Sequence, residues 1–399
     1  RTSSGIRFAH SLLVEALQSN AERGGRAETY HRYCALGLRD CHPEHPEQTA
    51  RRRADHWEAA GEPERALEPL RLAIDSLENG AGFEEAELLL ERRLAIIDEL
   101  SLPREDRRRV QNLIARGRHY AAAARPRDAM EVLERAEELA DAGDHPDLEG
   151  RALMFQGRLA TGLGRPGEAF ETLTRAEETF REIDHRTGLA ETLLARGNHL
   201  QSSQQDFEAA HASLSSARRL FAEAGEEYSR CMSRIGLLAN AIFRGELTAA
   251  ESIAEELHET RATRRNRMLR LHTDGLLGEA KRLRGDLDAA RRLFEKAAAG
   301  YQKVGDRVDT AIQRKNLAEI DLADGAYERA RRRLDGLDEP MPGPRKVALF
   351  LTRAACAAAE GDWSAWDRWL DRARSNLASH GFRTVDQPWV AGLAAEAAE

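Results

Sequence analysis

The feature that most constrains this chain is a short pattern that returns every 40 or 41 residues. Each copy places an alanine first, a second apolar residue four positions later, and alanine or leucine three positions after that. The copies begin at Ala129, Ala169, Ala210, Ala250, Ala290 and Ala330. Residues with this spacing share one face of a helix, so each copy predicts a helix with a narrow apolar stripe. A regular period of this length indicates a solenoid whose units pack on their neighbours.

Small residues predict how each unit turns and packs. A glycine precedes the repeat alanine by five positions at Gly164, Gly245, Gly285 and Gly325. A tight connection between helices favours a residue that tolerates positive φ. A small residue also stands twelve positions before the alanine, at Gly117, Gly157, Gly278 and Ala318. Each unit is therefore predicted to be helix, turn, helix, with a close approach between the two helices. Small residues are expected to face each other across the hairpin, while leucine and phenylalanine fill the layer between units.

The positions resemble those of the tetratricopeptide repeat (TPR), which combines a small residue, an alanine twelve positions later and a bulky residue four after that. The usual unit has about 34 residues, so roughly six extra residues per unit predict longer helices. With 41% hydrophobic, 32% charged and 6% aromatic residues, the composition suits many amphipathic helices. The predicted fold is all-α, an α-α superhelix of TPR-like helix hairpins with a period of about 40 residues.

The first hundred residues resemble the segment that joins an upstream module to superhelical repeats in STAND-type signalling ATPases. The residues that carry this resemblance are Phe8, Ala9, His10, Glu15, Ala16, His31, His56, Trp57, Ala59, Ala60 and Gly61. The resemblance implies an ATPase switch upstream, linked to a Ser/Thr kinase domain or to a LuxR-type DNA-binding domain. The predicted organisation is the end of an upstream module at 1–45, atypical helical repeats at 46–109, TPR-like repeats at 110–345 and a divergent capping repeat at 346–399.

Catalytic and cofactor motifs are missing from the sequence. It contains no GxxxxGK[ST] phosphate loop, HRD loop, HExxH helix or GxSxG elbow, which predicts a non-enzymatic chain without a cofactor. The segment CALGLRDCHPEH offers Cys34, Cys41, His42 and His45. Six residues separate the two cysteines, whereas zinc sites usually pair their ligands closely, so a helix end with surface histidines is preferred over a metal site.

Charge and hydropathy restrict the partners. The chain has 60 basic and 68 acidic residues, a net charge of -8, which disfavours direct binding of nucleic acid. No run of about 18 apolar residues predicts a membrane span, and the expected location is the cytoplasm. The first residues lack an initiator methionine, and we expect the chain to be part of a longer protein. The arginine-rich stretch RATRRNRMLR is interpreted as a solvent-exposed connection between repeats. The alternative is a basic surface that binds an acidic partner.

The TPR resemblance implies a concave groove lined by the first helix of each unit. The predicted groove residues are Arg118, Arg158, His199, Met232, Ile235, Phe243, Glu279 and Arg282. Charge along this set passes from basic to acidic, and the apolar members offer a seat for an apolar anchor of a peptide. The alternative interpretation of Met232, Ile235 and Phe243 is that they pack between repeats as part of the core. One spacing, from Ala169 to Ala210, is 41 residues instead of 40. The groove position in that repeat is therefore uncertain by one residue, and Asn198 is the alternative to His199.

The segment GDWSAWDRWLDRA places Trp363, Trp366 and Trp369 at intervals of three, with Trp366 at the position of the repeat alanine. Indole does not fit where a methyl group meets the preceding helix, so a splayed last pair is predicted. Terminal repeats must close the core, so a capping role is preferred. The alternative is a hydrophobic docking surface for another domain or a second copy of the chain.

These observations predict a protein- or peptide-binding solenoid that acts as the sensor or regulatory part of a bacterial, kinase-linked STAND signalling protein. The expected partners are a protein or peptide, with an acidic segment and an apolar anchor, and the upstream domains of the same parent protein. The alternatives are the regulatory region of a LuxR-type activator, a stand-alone scaffold, and an enzyme with a site in the groove.

Overall fold

The computed structural model describes residues 19–41, 46–78, 83–123, 125–337 and 343–380. These segments are almost entirely helical and contain no β-strand, which confirms the all-α prediction. The chain divides into two compact units, Arg1–Gly143 and Asp144–Glu399.

After helical residues 19–23, the described part of the first unit contains six further α-helices and two short 3₁₀ turns. They are α1 (Ala27–Cys41), a 3₁₀ turn (Pro46–Gln48), α2 (Ala50–Ala59), a 3₁₀ turn (Pro63–Ala66), α3 (Leu67–Glu78), α4 (Phe83–Glu99), α5 (Arg107–Ala122) and α6 (Pro126–Ala142). Its core includes Trp57, Leu70 and Ile97. The buried Arg93 of α4 donates hydrogen bonds to the Leu67 and Arg108 carbonyls, so it ties α4 to both neighbouring helices. Burial lowers the pKa of Arg93 to about 10.

The second unit is an array of helix pairs. Its helices are α7 (Pro146–Leu163), α8 (Pro166–Glu182), α9 (Arg186–His199), α10 (Phe207–Glu223), α11 (Glu227–Phe243), α12 (Leu247–Glu259), α13 (Arg261–Arg265), α14 (Arg267–Arg284), α15 (Leu287–Lys303), α16 (Arg307–Ala323), α17 (Tyr327–Leu334), α18 (Gly343–Ala359) and α19 (Trp363–His380). We call α7, α9, α11, α14, α16 and α18 the first helices of their pairs. The short α13 lies in the connection between α12 and α14.

The turn glycines adopt the conformation that their spacing predicts. Gly164, Gly245, Gly285 and Gly325 have φ values of 74°, 75°, 88° and 69°. Residues with a β-carbon rarely adopt this left-handed region, so glycine is favoured at these connections.

The two helices of a pair approach closely, as predicted, but the small residues of the first helices face bulky residues of the second helices and not other small side chains. A β-carbon added to Gly157 would lie 2.6 Å from Leu173, and one added to Gly278 would lie 2.7 Å from the Phe294 ring. Gly117 of the first unit faces Leu133 in the same way. The repeat alanines from Ala129 to Ala330 have no exposed surface. Close helix crossings of this kind leave no room for larger side chains.

A π-helix explains the single 41-residue spacing. Gly197 faces Leu214 in the way that Gly157 faces Leu173, but Gly197 stands thirteen residues before Ala210 instead of twelve. Between these positions, Leu200–Gln204 form a π-helical turn that ends at Gln205 in the left-handed region. Because a π-helix closes its hydrogen bonds over five residues, it absorbs one additional residue within a helical path. Asn198, the alternative to His199, is therefore the counterpart of Arg158.

Contacts between helices define the concave side of the second unit. Each first helix packs against the first helix of the next pair. No contact of similar extent joins consecutive second helices in the described segments. The array therefore curves toward its first helices, and α7 at one end also approaches α18 at the other. We call the surface formed by the first helices the first-helix surface.

Candidate functional site

Polar side chains bridge consecutive helices along the first-helix surface. Between α7 and α9, Arg151 Nη2 lies 3.8 Å from Glu191 Oε2, and Thr161 Oγ1 lies 3.0 Å from His199 Nδ1. His199 is completely buried, and this burial together with the charge of Arg196 lowers the pKa of its imidazole. The imidazole is therefore neutral in the folded protein near neutral pH.

The most unusual feature of this surface is a buried ion network that joins α14, α16 and α18. The Glu319 Oε1 atom accepts hydrogen bonds from Lys315 Nζ at 2.7 Å and from Thr352 Oγ1 at 2.9 Å. Arg282 Nε lies 3.9 Å from Glu319 Oε2 and donates to Glu279 Oε2 at 2.9 Å. We call Glu279, Arg282, Lys315, Glu319 and Thr352 the inner ion network.

The inner ion network is balanced in charge, and three of its four ionic side chains lie almost entirely out of water. Lys315, Arg282 and Glu319 are 6%, 3% and 0% exposed. Lysine, arginine and glutamate are rarely buried unless they are paired. Burying ions carries a desolvation cost that pairing does not always offset, so apolar residues of similar size often stabilise a fold equally well. A buried network is therefore weak evidence for a purely stabilising role.

A second polar cluster lies near the start of the same three helices. Asp309 of α16 lies 3.3 Å from Arg345 of α18 and 4.0 Å from His272 of α14. The Tyr301 hydroxyl is 2.8 Å from His272 Nδ1. Burial lowers the pKa of His272 and raises that of Tyr301. Polar contacts thus connect α14, α16 and α18 at two places, one at the inner ion network and the other near the start of the three helices.

The charged residues predicted for the groove occupy different environments. Arg118 belongs to the first unit, where it lies 3.5 Å from Asp75. Arg158 of α7 is exposed, with its guanidinium 5.6 Å from the centre of the Phe155 ring. Glu279 and Arg282 form an ion pair one helical turn apart within the inner ion network.

The predicted apolar residues of the groove pack between helices. Ile235 is 7% exposed and belongs to a core cluster with Leu238 and Leu257, against which Met232 also packs. Phe243 stacks on Phe207 of α10, with ring centres 5.8 Å apart. These contacts are those expected of the alternative interpretation, packing between repeats. That Met232, Ile235 and Phe243 bind an apolar anchor of a peptide stays a prediction.

The three tryptophans of α19 differ in burial. Trp366 stands four residues after the capping Asp362, as Ala290 does after Asp286, so it occupies the position of the repeat alanine. Its side chain is half-buried and packs against the last core cluster of the array. Trp369 stacks on Phe350 at 5.7 Å, whereas Trp363 is 48% exposed. The capping and docking roles of these residues stay predictions.

Sequence reasoning missed Lys315 and Thr352 of the inner ion network. Lys315 is one of only five lysines in the chain, and Glu279 and Glu319 stand one full repeat apart. The rarity of lysine and the repeat spacing of the two glutamates are the features of the sequence that could have indicated the network. The pairing with Thr352 joins residues 33 positions apart, which no local pattern indicates.

Metal-binding clusters and membrane-spanning helices are both absent from the described residues. These residues contain no group of three or more histidine, cysteine or acidic side chains that could hold a metal ion. Of the cysteine and histidine segment, His42, His45 and the Cys41 side chain lie outside that part of the chain. No helix within the same ranges is long and apolar enough to cross a membrane.

Comparison with known sequences identifies one family. Residues 269–335, which include the inner ion network except Thr352, match the tetratricopeptide repeat family. A comparison with curated proteins found no significant match.

Comparison with solved structures shows the fold more broadly. A Rap protein complexed with competence and sporulation factor matches with a TM-score of 0.57 and 15% identity, over 78% of this chain and 88% of that chain. NprR in complex with its cognate peptide NprX matches with a TM-score of 0.55 and 15% identity, over 72% and 84%. These similarities support a TPR-like superhelix.

A third match is the STAND protein PH0952 from Pyrococcus horikoshii, which has a tetratricopeptide repeat sensor. Its TM-score is 0.52 and its identity 12%, over 88% of this chain. The match spans 55% of that protein, so this chain corresponds to about half of its length.

Proposed function

We propose that this chain is a non-enzymatic, peptide- or protein-binding regulatory solenoid and that the partner binds along the first-helix surface of the second unit. The observation that carries the proposal is the inner ion network, because three buried ionic side chains and the partly buried Glu279 on the first-helix surface are poorly explained by stability alone. Buried polar groups of this kind confer specificity on a ligand that matches their charges and exclude one that does not.

The comparisons support the class of partner. The Rap protein and NprR have folds similar to this chain, and their structures were determined in complex with competence and sporulation factor and with the cognate peptide NprX, respectively. A peptide on a TPR-like array lies along the first helices, where extended backbone and side chains meet successive repeats. The exposed Arg158 on α7 favours a partner with an acidic segment toward that end of the unit.

The regulatory mechanism that we propose is differential binding. A partner that prefers one curvature of the array shifts the population toward that curvature and so biases a connected domain. The likeness to PH0952 supports a STAND ATPase as the connected switch, and linkage to a Ser/Thr kinase is the form we favour. The alternatives are the regulatory region of a LuxR-type activator and a stand-alone scaffold.

The test is selection from a random peptide library followed by calorimetric titration of the selected peptides. We expect acidic peptides to be selected and Arg158→Glu to weaken them by about tenfold or more, with a dependence on salt. Arg292→Glu is the matched control, because Arg292 is exposed on the second helix α15. Affinities that stay equal in wild type, Arg158→Glu and Glu319→Gln would place the binding site elsewhere and refute the proposal.

A further inference from the structure

A basic cleft of about 510 Å³ opens on the second unit, between one second helix and the first helix that follows it. It opens where the C-terminal half of α10 meets the first turn of α11. The residues that line it are Ser215, Ser216, Arg218, Arg219, Ala222 and Arg230. None of them is acidic, although the chain as a whole carries a net charge of -8.

Two arginines of the cleft have no partner among the residues that the structure describes. Neither Arg218 nor Arg219 forms an ion pair or hydrogen bond with any residue that the structure describes. By contrast, Arg244 at the end of the neighbouring helix α11 is paired with Glu208 at 2.8 Å. Arg230 donates to Glu227 at 2.8 Å, an exposed pair separated by three residues. Such a pair is weak and exchanges readily for a stronger anion.

Helical spacing directs these side chains into one volume. Ser215, Arg218, Arg219 and Ala222 follow the i, i+3, i+4, i+7 pattern and share one face of α10. The small Ala222 leaves space on that face, and Arg230 closes the cleft from the neighbouring helix. Three guanidinium groups and two hydroxyl groups therefore surround the same space.

The number and type of donors select the ligand. A carboxylate has two oxygens and one charge, and a single guanidinium fork satisfies it. A phosphate monoester has three terminal oxygens and a charge of about -1.5 to -2 at neutral pH, so it suits several guanidinium groups at once. The serine hydroxyls add donors to the remaining lone pairs. We propose that this cleft binds a phosphate monoester.

The bound group has two possible sources that share this chemistry. One is a phosphorylated serine or threonine of a protein segment, and the other is a small free phosphate ester. The cleft lies on α10 and the start of α11, apart from the residues of the inner ion network. The proposal therefore does not depend on peptide binding along the first-helix surface.

The experiment is calorimetric titration of the full chain, at fixed ionic strength, with three probes. The probes are free O-phosphoserine, a glycine-rich pentapeptide with a central phosphoserine, and the same peptide with glutamate at that position. We expect the phosphorylated peptide to bind about tenfold or more tightly than the glutamate peptide. A peptide affinity well above that of free phosphoserine identifies a protein segment, and equal affinities identify a small ester.

Variants connect the binding to the cleft. Arg218→Gln with Arg219→Gln is expected to weaken phosphoserine binding by about tenfold or more. Arg218→Lys with Arg219→Lys keeps the charge but loses the planar fork, so an intermediate affinity is expected. The control is Arg264→Gln with Arg265→Gln, which removes the same charge from exposed consecutive positions of α13. Equal losses in the two glutamine variants, or absence of phosphoserine binding by wild type, would overturn the proposal.

Discussion

Gly278 and Phe294 meet so closely that a β-carbon on the glycine would lie 2.7 Å from Cε1 of the ring. The contact joins the first and second helices of one repeat, α14 and α15, and recurs as Gly157 with Leu173. The absence of a side chain on one helix thus determines how closely a large side chain on the other can pack.

Gly278→Ala is expected to destabilise the protein by about 1–3 kcal/mol, because the ring must move to admit the methyl group. Gly162→Ala is the control, since Gly162 is helical and its added β-carbon meets nothing within 4 Å. Alanine at that position should be neutral or stabilise by up to about 1 kcal/mol through its helix propensity. Denaturant unfolding measures both, and equal effects would contradict the close contact.

The inner ion network predicts strong coupling between its members. Lys315→Met should destabilise the protein by about 3–5 kcal/mol, because it removes a buried positive charge that faces Glu319. Lys315→Met combined with Glu319→Met should cost much less than the sum of the two single changes. A double-mutant cycle by denaturant unfolding measures the difference. Additive effects would show that the two charges do not interact in the fold.

Stability should depend on the protonation of His199. Its pKa is lowered from 6.5 by burial and by the charge of Arg196, so the unfolded chain binds this proton more readily than the folded chain. The contribution of the neutral imidazole is complete above about pH 6.5 and is lost as the pH falls below that value.

Unfolding free energies at pH 8 and pH 5.5 test this dependence. The decrease should be larger in wild type than in His199→Gln, while His211→Gln, a change at an exposed position of α10, should behave as wild type. Wild type and His199→Gln with the same pH dependence would refute the assignment.

The tryptophans of α19 are expected to differ in their contribution to stability. Trp366→Ala should destabilise by about 2 kcal/mol, below the range for a fully buried aromatic residue, because Trp366 is half-buried against the last core cluster. Trp363→Ala should stay within about 0.5 kcal/mol of wild type, since Trp363 is 48% exposed. Hydrogen exchange in α18 and α19 locates the effect, and unchanged exchange in the Trp366 variant would contradict the packing.

The sequence by itself determined the repeat. The spacing of alanines, turn glycines and small residues predicts the helix pairs, the positive φ of Gly285 and the close approach of α14 to α15 at Gly278. All of these depend on helical periodicity and on the steric demands of single residues, which act over a few turns of chain. A short-range pattern is therefore sufficient to specify them.

Only the tertiary structure decided where the first helices meet and what they bury. The π-helix at Leu200–Gln204 moves the register by one residue, so Asn198 takes the place that spacing gives to His199. Thr352 reaches Glu319 because two first helices pack side by side, although their residues are far apart in sequence. Burial of Lys315 likewise depends on helices from separate repeats. Such contacts arise where first helices of successive pairs pack side by side, because that packing removes from water residues that are far apart in sequence.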